Sequence, residues 1–202
     1  MLILLFKALR KFIEHFRGLF YWPYTALLLL LNGVILPRNL KVMGVMKVIV
    51  TRRGKLIIGN NLTVNSGNHY NIIGRQQKTT LWVEGVLSIG SFVGMSSTTI
   101  VCNHEIEIGD YVMIGGNTVI YDTDFHSLNP DSRMNPIKDK QNATWAKVVI
   151  KDNVFIGAHT TILKGVTIGK NSVIGACSVI TKSIPENEIW AGNPACFIKK
   201  II

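Results

Sequence analysis

A six-residue repeat between residues 148 and 180 restricts the possible folds of this chain more than any other feature of its sequence. The repeated residue is isoleucine, at Ile150, Ile156, Ile162, Ile168, Ile174 and Ile180. A period of six fits neither the 3.6-residue turn of an α-helix nor the two-residue alternation of one long strand. It predicts a solenoid of short parallel strands, in which successive turns stack and one aliphatic side chain per strand points inward.

A weaker form of the same repeat extends toward the N-terminus, from about Leu56. One extra residue near His104 shifts its phase, and the regular spacing resumes at Ile108. We therefore predict two parts of the chain. Residues 56–202 form a β-helix domain with a C-terminal cap, and residues 1–55 form a basic, apolar segment of amphipathic and apolar helices.

The positive charge of the chain is concentrated in that N-terminal segment. Residues 1–55 contain ten Lys or Arg and one Glu, so they account for most of the formal net charge of +10. Proteins that bind nucleic acid usually spread basic residues over the folded module and interleave them with aromatic platforms. Because the predicted β-helix is nearly neutral, we expect no nucleic-acid partner.

The beginning of the chain has the pattern of a helix that lies on a membrane surface. Its apolar positions at helical spacing, with cations between them, are Leu5, Leu9, Ile13, Phe16 and Phe20. Such a helix places its cations against anionic head groups. A membrane span fits poorly, because Pro23 and Asn32 interrupt the following apolar run. Two interpretations stay open: peripheral membrane contact through residues 1–36, or a helix that only caps the open end of the solenoid.

Cysteine usage gives no sign of a disulfide framework or of a zinc site. The three cysteines, Cys102, Cys177 and Cys196, are odd in number and widely spaced. The paired spacing that is typical of zinc ligands is absent from the sequence. We therefore expect no metal and a cytoplasmic protein, with any peripheral contact at the inner face of the cytoplasmic membrane.

The repeat stops between Ile120 and Val148, which predicts a long loop at about residues 121–147. Loops of this length in a compact protein are uncommon and usually functional. This loop contains His126, and a neutral histidine can remove a hydroxyl proton at physiological pH. Asp122 and Asp124 are near enough in sequence to orient its ring, with a backbone carbonyl as the alternative.

The hexads, the loop sequence DTDFHSLNPDSR and the terminal AGNPA together resemble the hexapeptide-repeat acetyltransferases. The pattern is most similar to the maltose and galactoside acetyltransferases and to the O-acetyltransferases of capsule, O-antigen and colanic acid synthesis. The resemblance implies an all-β, left-handed parallel β-helix and a homotrimer with active sites in clefts between subunits. It also implies acetyl-CoA as donor. Only the resemblance supports the left hand, because crossover connections are otherwise right-handed.

The resemblance also implies roles for individual residues. His126 matches the catalytic histidine of the family, and the backbone N–H of Ala158 stands where galactoside-type members have a serine that serves the oxyanion. The positions implied for the CoA donor are Ala158, Ala176, Thr181, Lys182, Gly192, Asn193, Pro194 and Lys199. The candidate positions for the acceptor are Asn103, Trp145 and Phe155.

The function predicted from these features is acetyl-CoA-dependent O-acetyl transfer to a sugar hydroxyl, in polysaccharide or lipid-linked glycan synthesis. His126 is the expected general base. The alternative is a catalytically inactive trimeric β-helix scaffold that docks at a membrane surface. A metal-dependent hydratase of the carbonic-anhydrase type is disfavoured, because the closely spaced histidine pair expected there is missing.

Overall fold

The computed structural model describes residues 1–74 and 77–202. The strands of the first half are β1 (Lys41–Met43), β2 (Lys47–Val50), β3 (Lys55–Ile58), β4 (Thr63–Asn65), β5 (Thr80–Val83), β6 (Val86–Ile89), β7 (Gly94–Ser96), β8 (Thr99–Cys102) and β9 (Glu105–Ile108). The later strands are β10 (Met113–Ile114), β11 (Val119–Tyr121), β12 (Val148–Ile150), β13 (Phe155–Ile156), β14 (Thr161–Ile162), β15 (Thr167–Ile168), β16 (Val173–Ile174), β17 (Val179–Ile180), β18 (Glu188–Gly192) and β19 (Ala195–Lys200). The helices are α1 (Leu2–Leu31), α2 (Pro130–Arg133) and α3 (Pro136–Asn142).

The strands form three sheets, which are the three faces of a triangular prism. The first sheet has the order β1-β4-β7-β10-β13-β16-β18-β19, the second β17-β14-β11-β8-β5-β2 and the third β15-β12-β9-β6-β3. From β1 to β17, paired strands are parallel and three places apart in the chain, so each of these coils adds one strand to every face. At the C-terminal end, β16 pairs in parallel with β18. The terminal pair β18 and β19 is antiparallel. The predicted left-handed parallel β-helix is confirmed.

The interior of the prism is filled by the repeated isoleucines. All six positions of the regular repeat, from Ile150 to Ile180, are at most 1% exposed. Because the side chains of consecutive coils lie in register, each isoleucine packs on the equivalent residue above and below it. Burial at about 25 cal/mol per Å² of apolar surface then stabilises the stack of coils.

Glycine at the corner between the first and second sheets lets consecutive coils approach closely. A Cβ atom on Gly115 would lie 2.5 Å from the backbone nitrogen of Ala158, and one on Gly157 would lie 2.5 Å from that of Ala176. Real Cβ atoms do not come this near to backbone, so only glycine fits. We call this edge of the prism the alanine corner (residues 157–160 and 175–178).

The N-terminal segment contains one long helix, α1, whereas the sequence predicted more than one helix there. The last turns of α1 pack on the first coil, with Thr25, Ala26 and Leu29 buried. The side-chain oxygen of Asn32 accepts a hydrogen bond from the backbone N–H of Val50 at 2.9 Å. The end of α1 therefore covers one end of the prism, as a capping helix does.

Strand pairing begins at Lys41–Met43, earlier than residue 56, where the sequence pattern places the start of the β-helix. The early strands bury valines such as Val42 and Val48 in place of the isoleucine-glycine signature. The division of the chain into two domains stays a prediction. Within the described residues, no helix combines the length and the hydropathy that crossing a bilayer requires.

A matched pair of glycine substitutions tests the packing of the coils. Gly157→Ala should lower the free energy of unfolding by about 1–3 kcal/mol, because its methyl group would meet the backbone of the next coil. Gly18→Ala should raise the free energy of unfolding by up to about 1 kcal/mol, because Gly18 lies on α1 and an added Cβ would meet no atom of another element within 4 Å. Denaturant unfolding measures both. Equal stability of the two variants would show that the coils do not approach as described.

Candidate active site

The loop that interrupts the repeat is anchored by the buried carboxylate of Asp122. Its two oxygens accept hydrogen bonds from the backbone N–H groups of Asn103 at 2.9 Å, His104 at 2.7 Å and Glu105 at 2.7 Å. These three amides belong to the corner at which the sequence repeat shifts its phase. The extra residue there turns consecutive N–H groups toward one point, and Asp122 occupies it.

The neck of the loop is closed by a second carboxylate. Asp124 accepts hydrogen bonds from the Thr144 hydroxyl at 2.6 Å and from the Lys164 ammonium at 2.7 Å. Burial acts to raise the pKa of Asp124, but these two hydrogen bonds and the Lys164 charge outweigh it and hold the pKa below its usual value. The two strands of the neck also pair, through the backbone N–H of Asp124 and the carbonyl of Thr144 at 3.0 Å.

His126 is paired with Asp139. The ring Nδ1 lies 2.6 Å from Asp139 Oδ2, and the other carboxylate oxygen accepts from the backbone N–H of Ser127 at 2.7 Å. The hydrogen bond from His126 comes first and that from Ser127 second among the causes that lower the pKa of Asp139. The imidazole side chain is 70% exposed, whereas Asp139 is 14% exposed. A fixed carboxylate therefore holds an accessible histidine ring.

The expectation that Asp122 or Asp124 orients His126 is wrong. Both carboxylates are engaged at the base of the loop, by backbone amides and by Lys164 respectively. The actual partner, Asp139, lies in the first turn of α3, thirteen residues along the chain from His126. A sequence signal for α3 does exist, because Asn-Pro is a common helix start, but it does not reveal where the helix docks.

Two short capped helices brace the loop with hydrogen bonds. The side chain of Asn129 accepts a hydrogen bond from the backbone of α2, and that of Asn135 does the same for α3. Arg133 donates to the carbonyl groups of Ser127 at 2.8 Å and Leu128 at 2.9 Å. The chain on both sides of His126 is thus held by hydrogen bonds.

The structure brings Asn103 and Trp145 to the base of this loop. Asn103 is held by Asp122, and Trp145 stacks on His104 with ring centroids 4.1 Å apart and planes 12° apart. The backbone of Trp145 also bridges to Thr123. We call this edge of the prism, between the second and third sheets, the loop corner. Phe155 is not there, because it lies on the outer face of the first sheet.

The residues expected to contact CoA divide between two edges of the prism. Ala158 and Ala176 lie at the alanine corner, and within residues 1–74 and 77–202 no hydrogen bond occupies their backbone N–H groups. Thr181 and Lys182 follow β17 and lie at the loop corner, where the Lys182 ammonium is 5.3 Å from the centroid of the Trp190 ring.

The terminal turn belongs with the alanine corner. Gly192 ends β18, and Asn193 and Pro194 connect it to β19. The Gly192 N–H donates to the Ser178 hydroxyl at 3.1 Å. Lys199 is exposed on β19, opposite Ile189. One chain therefore carries the two parts of the expected site at different corners, separated by the width of the second sheet.

Residues 147–182 match the family model described as "Bacterial transferase hexapeptide (six repeats)". A putative lipopolysaccharide biosynthesis O-acetyl transferase of Escherichia coli, WbbJ, is 32% identical over 150 residues, which covers 73% of this chain and 72% of that protein. The chain belongs to the hexapeptide-repeat acetyltransferase family. The resemblance seen in the hexads, the loop and the AGNPA sequence is confirmed.

Other members of the family match shorter parts of the chain. A galactoside O-acetyltransferase of Lactococcus lactis is 45% identical over 105 residues, covering 52% of this chain and 47% of that protein. A crystal structure of a hexapeptide-repeat acetyltransferase of Vibrio cholerae has 31% identity and a TM-score of 0.51, covering 57% of this chain and 62% of that one. The chain spans about half the length of the galactoside O-acetyltransferases that it matches.

Proposed function

We propose that this protein transfers an acetyl group from acetyl-CoA to a hydroxyl group of a sugar. The observation that carries the proposal is the pair of His126 and Asp139 on a loop that hydrogen bonds hold in place. A carboxylate accepts from Nδ1–H, which leaves Nε2 as the ring nitrogen with a free lone pair. His126 thus presents a base in the tautomer that proton removal requires.

The chemistry assigned to the site follows from that base. Nε2 of His126 takes the proton of the sugar hydroxyl while the hydroxyl oxygen attacks the thioester carbonyl. The C–S bond then breaks, and the protonated histidine gives the proton to the departing CoA thiolate. The negative charge that develops on the carbonyl oxygen needs N–H donors. The unengaged backbone N–H groups of Ala158 and Ala176 suit that role. They could equally donate hydrogen bonds to the amide carbonyls of the pantetheine arm.

The acceptor class is supported by the relatives that resemble the chain. Two of them are named as O-acetyl transferases of galactosides and of lipopolysaccharide biosynthesis. Their acceptors are carbohydrates, which present hydroxyl groups of the kind that a histidine base activates.

Among the described residues, no cluster of three or more His, Cys, Asp or Glu side chains is arranged to hold a metal ion.

The division of the site between two corners supports a homotrimer. If the third sheet of one subunit faces the first sheet of the next, the loop corner of one meets the alanine corner of the other. A closed ring of three such contacts makes three equal clefts. The first sheet carries a groove of about 810 Å³, lined in part by Met95, Met113 and Phe155, which a neighbouring subunit would cover in this arrangement. The second sheet stays open to solvent in this arrangement.

An inactive scaffold is the less favoured alternative. A scaffold needs the trimer and its surface contacts, but it does not need a histidine whose tautomer is fixed by a carboxylate. Capped helices, Arg133 and Asp139 all converge on the position of His126. Loops without such a role are usually less constrained.

The N-terminal half of α1 supports peripheral contact with an anionic membrane. Apolar side chains along this half are exposed, among them Leu5, Phe12 and Phe16. Lys7 and Arg10 add cations on the same helix. Arg10 forms a salt bridge to Glu14 at 3.8 Å. Only the last turns of α1 are buried against the prism, so capping accounts for only part of the helix.

Vesicle flotation tests the membrane proposal. The protein should float with phosphatidylglycerol vesicles and less with phosphatidylcholine, because the cations add to the apolar insertion. A double substitution of Phe12→Glu and Phe16→Glu should abolish flotation. Equal flotation of this variant and the wild type would contradict insertion through α1.

Thiol release from acetyl-CoA with a panel of sugar acceptors tests the proposed reaction. His126→Ala should lower turnover by about 100- to 10,000-fold, the usual contribution of a general base. Asp139→Asn should lower it by about tenfold or more, because the asparagine can hold the wrong tautomer. Both variants should still bind CoA in calorimetric titration.

The matched control for that experiment is His15→Gln, a histidine on α1 outside the loop. It should keep wild-type turnover. Full activity of His126→Ala would refute the base assignment, and absence of CoA binding by the wild type would favour the scaffold.

A further inference from the structure

A shallow groove lies on the outer face of the second sheet, next to the loop corner. Its volume is about 350 Å³. The residues that line it are Thr80, Trp82, Glu84, Val101, Asn103 and Phe125. Asn103 is a candidate acceptor residue, but the other lining residues have no part in the proposed chemistry.

The groove combines an aromatic ring with fixed hydrogen-bonding groups. The Trp82 indole N–H donates to Glu84 Oε1 at 3.1 Å, which fixes both the ring and the carboxylate. The Lys47 ammonium lies 5.9 Å from the centroid of the same ring. An apolar ring face packs well on the C–H face of a sugar, while carboxylate and amide groups bind its hydroxyls.

The groove is linked to His126 by two features of the loop. Phe125, which lines the groove, directly precedes His126 and has φ +64°. A non-glycine residue in this left-handed region is strained and is kept there by its surroundings. The Phe125 ring meets Tyr121 edge-on at 5.3 Å. Asp122, at the start of the loop that carries His126, accepts a hydrogen bond from the backbone N–H of Asn103, which lines the groove. The same carboxylate therefore positions both the groove wall and the loop of the base.

The register of the strands gives the groove a direction. Tyr121, Val101, Trp82 and Ile49 are paired neighbours on β11, β8, β5 and β2. Strands lie about 4.8 Å apart, so the ring of Trp82 is two spacings, about 10 Å, from the coil that carries the loop. The groove therefore runs away from His126 toward the coil on which α1 packs.

We propose that this groove binds the sugar residues next to the one that is acetylated, so that the acceptor is an oligosaccharide. The inference rests on the proposed O-acetyl transfer and narrows its substrate class. The acetylated sugar lies at His126, and the neighbouring sugars lie along Phe125, Asn103 and Trp82. The second sheet is the face that the proposed trimer leaves open, so the groove remains accessible to a chain of sugars.

The kinetic test compares monosaccharides with trisaccharides. The pairs are glucose with maltotriose, galactose with galactotriose, and N-acetylglucosamine with chitotriose. Wild-type protein should show at least a tenfold higher kcat/KM for the trisaccharide in one pair or more. Trp82→Ala should reduce this preference by about tenfold, the usual contribution of one aromatic stacking contact. Trp82→Phe keeps a ring and should retain most of the preference.

A binding test separates this inference from the proposed reaction. Trisaccharide titrated into the His126→Ala protein should shift the indole N–H resonance of Trp82, and the same titration of monosaccharide should not. If the wild type transfers acetyl groups but Trp82→Ala leaves the trisaccharide preference unchanged, the groove inference fails alone. If trisaccharide shifts the Trp82 resonance but no acceptor is acetylated, the proposed reaction fails, and the groove remains a binding site for oligosaccharides. If no pair shows a preference and no resonance shifts, the groove inference is refuted.

Discussion

The narrow interior of the prism is the constraint on which the other features of the molecule depend. One or two apolar side chains per strand fill it, and the buried hydroxyls of Thr160 and Ser178 donate hydrogen bonds to corner carbonyls. In the part of the chain that the structure describes, these interior side chains are buried, which leaves the outer faces, the corners and the loop for binding and chemistry. Glycines at the alanine corner bring the coils together closely enough for this stack to be continuous.

Because the coils are rigid and regular, the positions of the two half-sites are fixed relative to each other. The loop corner carries His126, and the alanine corner carries Ala158 and Ala176. Asp122 attaches the start of the loop to the coils, because its carboxylate accepts hydrogen bonds from three backbone amides. A single chain cannot bring its own two corners together, which links the proposed activity to assembly.

The hexads predict the architecture because a six-residue period has few structural solutions. The place of the loop, between the end of β11 at Tyr121 and the start of β12 at Val148, follows from where the period stops. The partner of His126 is not predictable in this way, because Asp139 reaches it only after α3 has turned back on the loop. The early strands are also missed, since Val42 and Val48 lie in coils that lack the isoleucine-glycine signature.

Mixing two inactive variants in one assembly tests most directly whether subunits of the proposed trimer share the site. His126→Ala removes the base from the loop corner, and Ala176→Trp fills the alanine corner. When the two are unfolded and refolded together in equal amounts, random assembly makes about one cleft in four fully wild type. The account predicts about a quarter of wild-type turnover in the mixture and none in either variant alone. No turnover in the mixture, with mixed trimers shown to form, would contradict it.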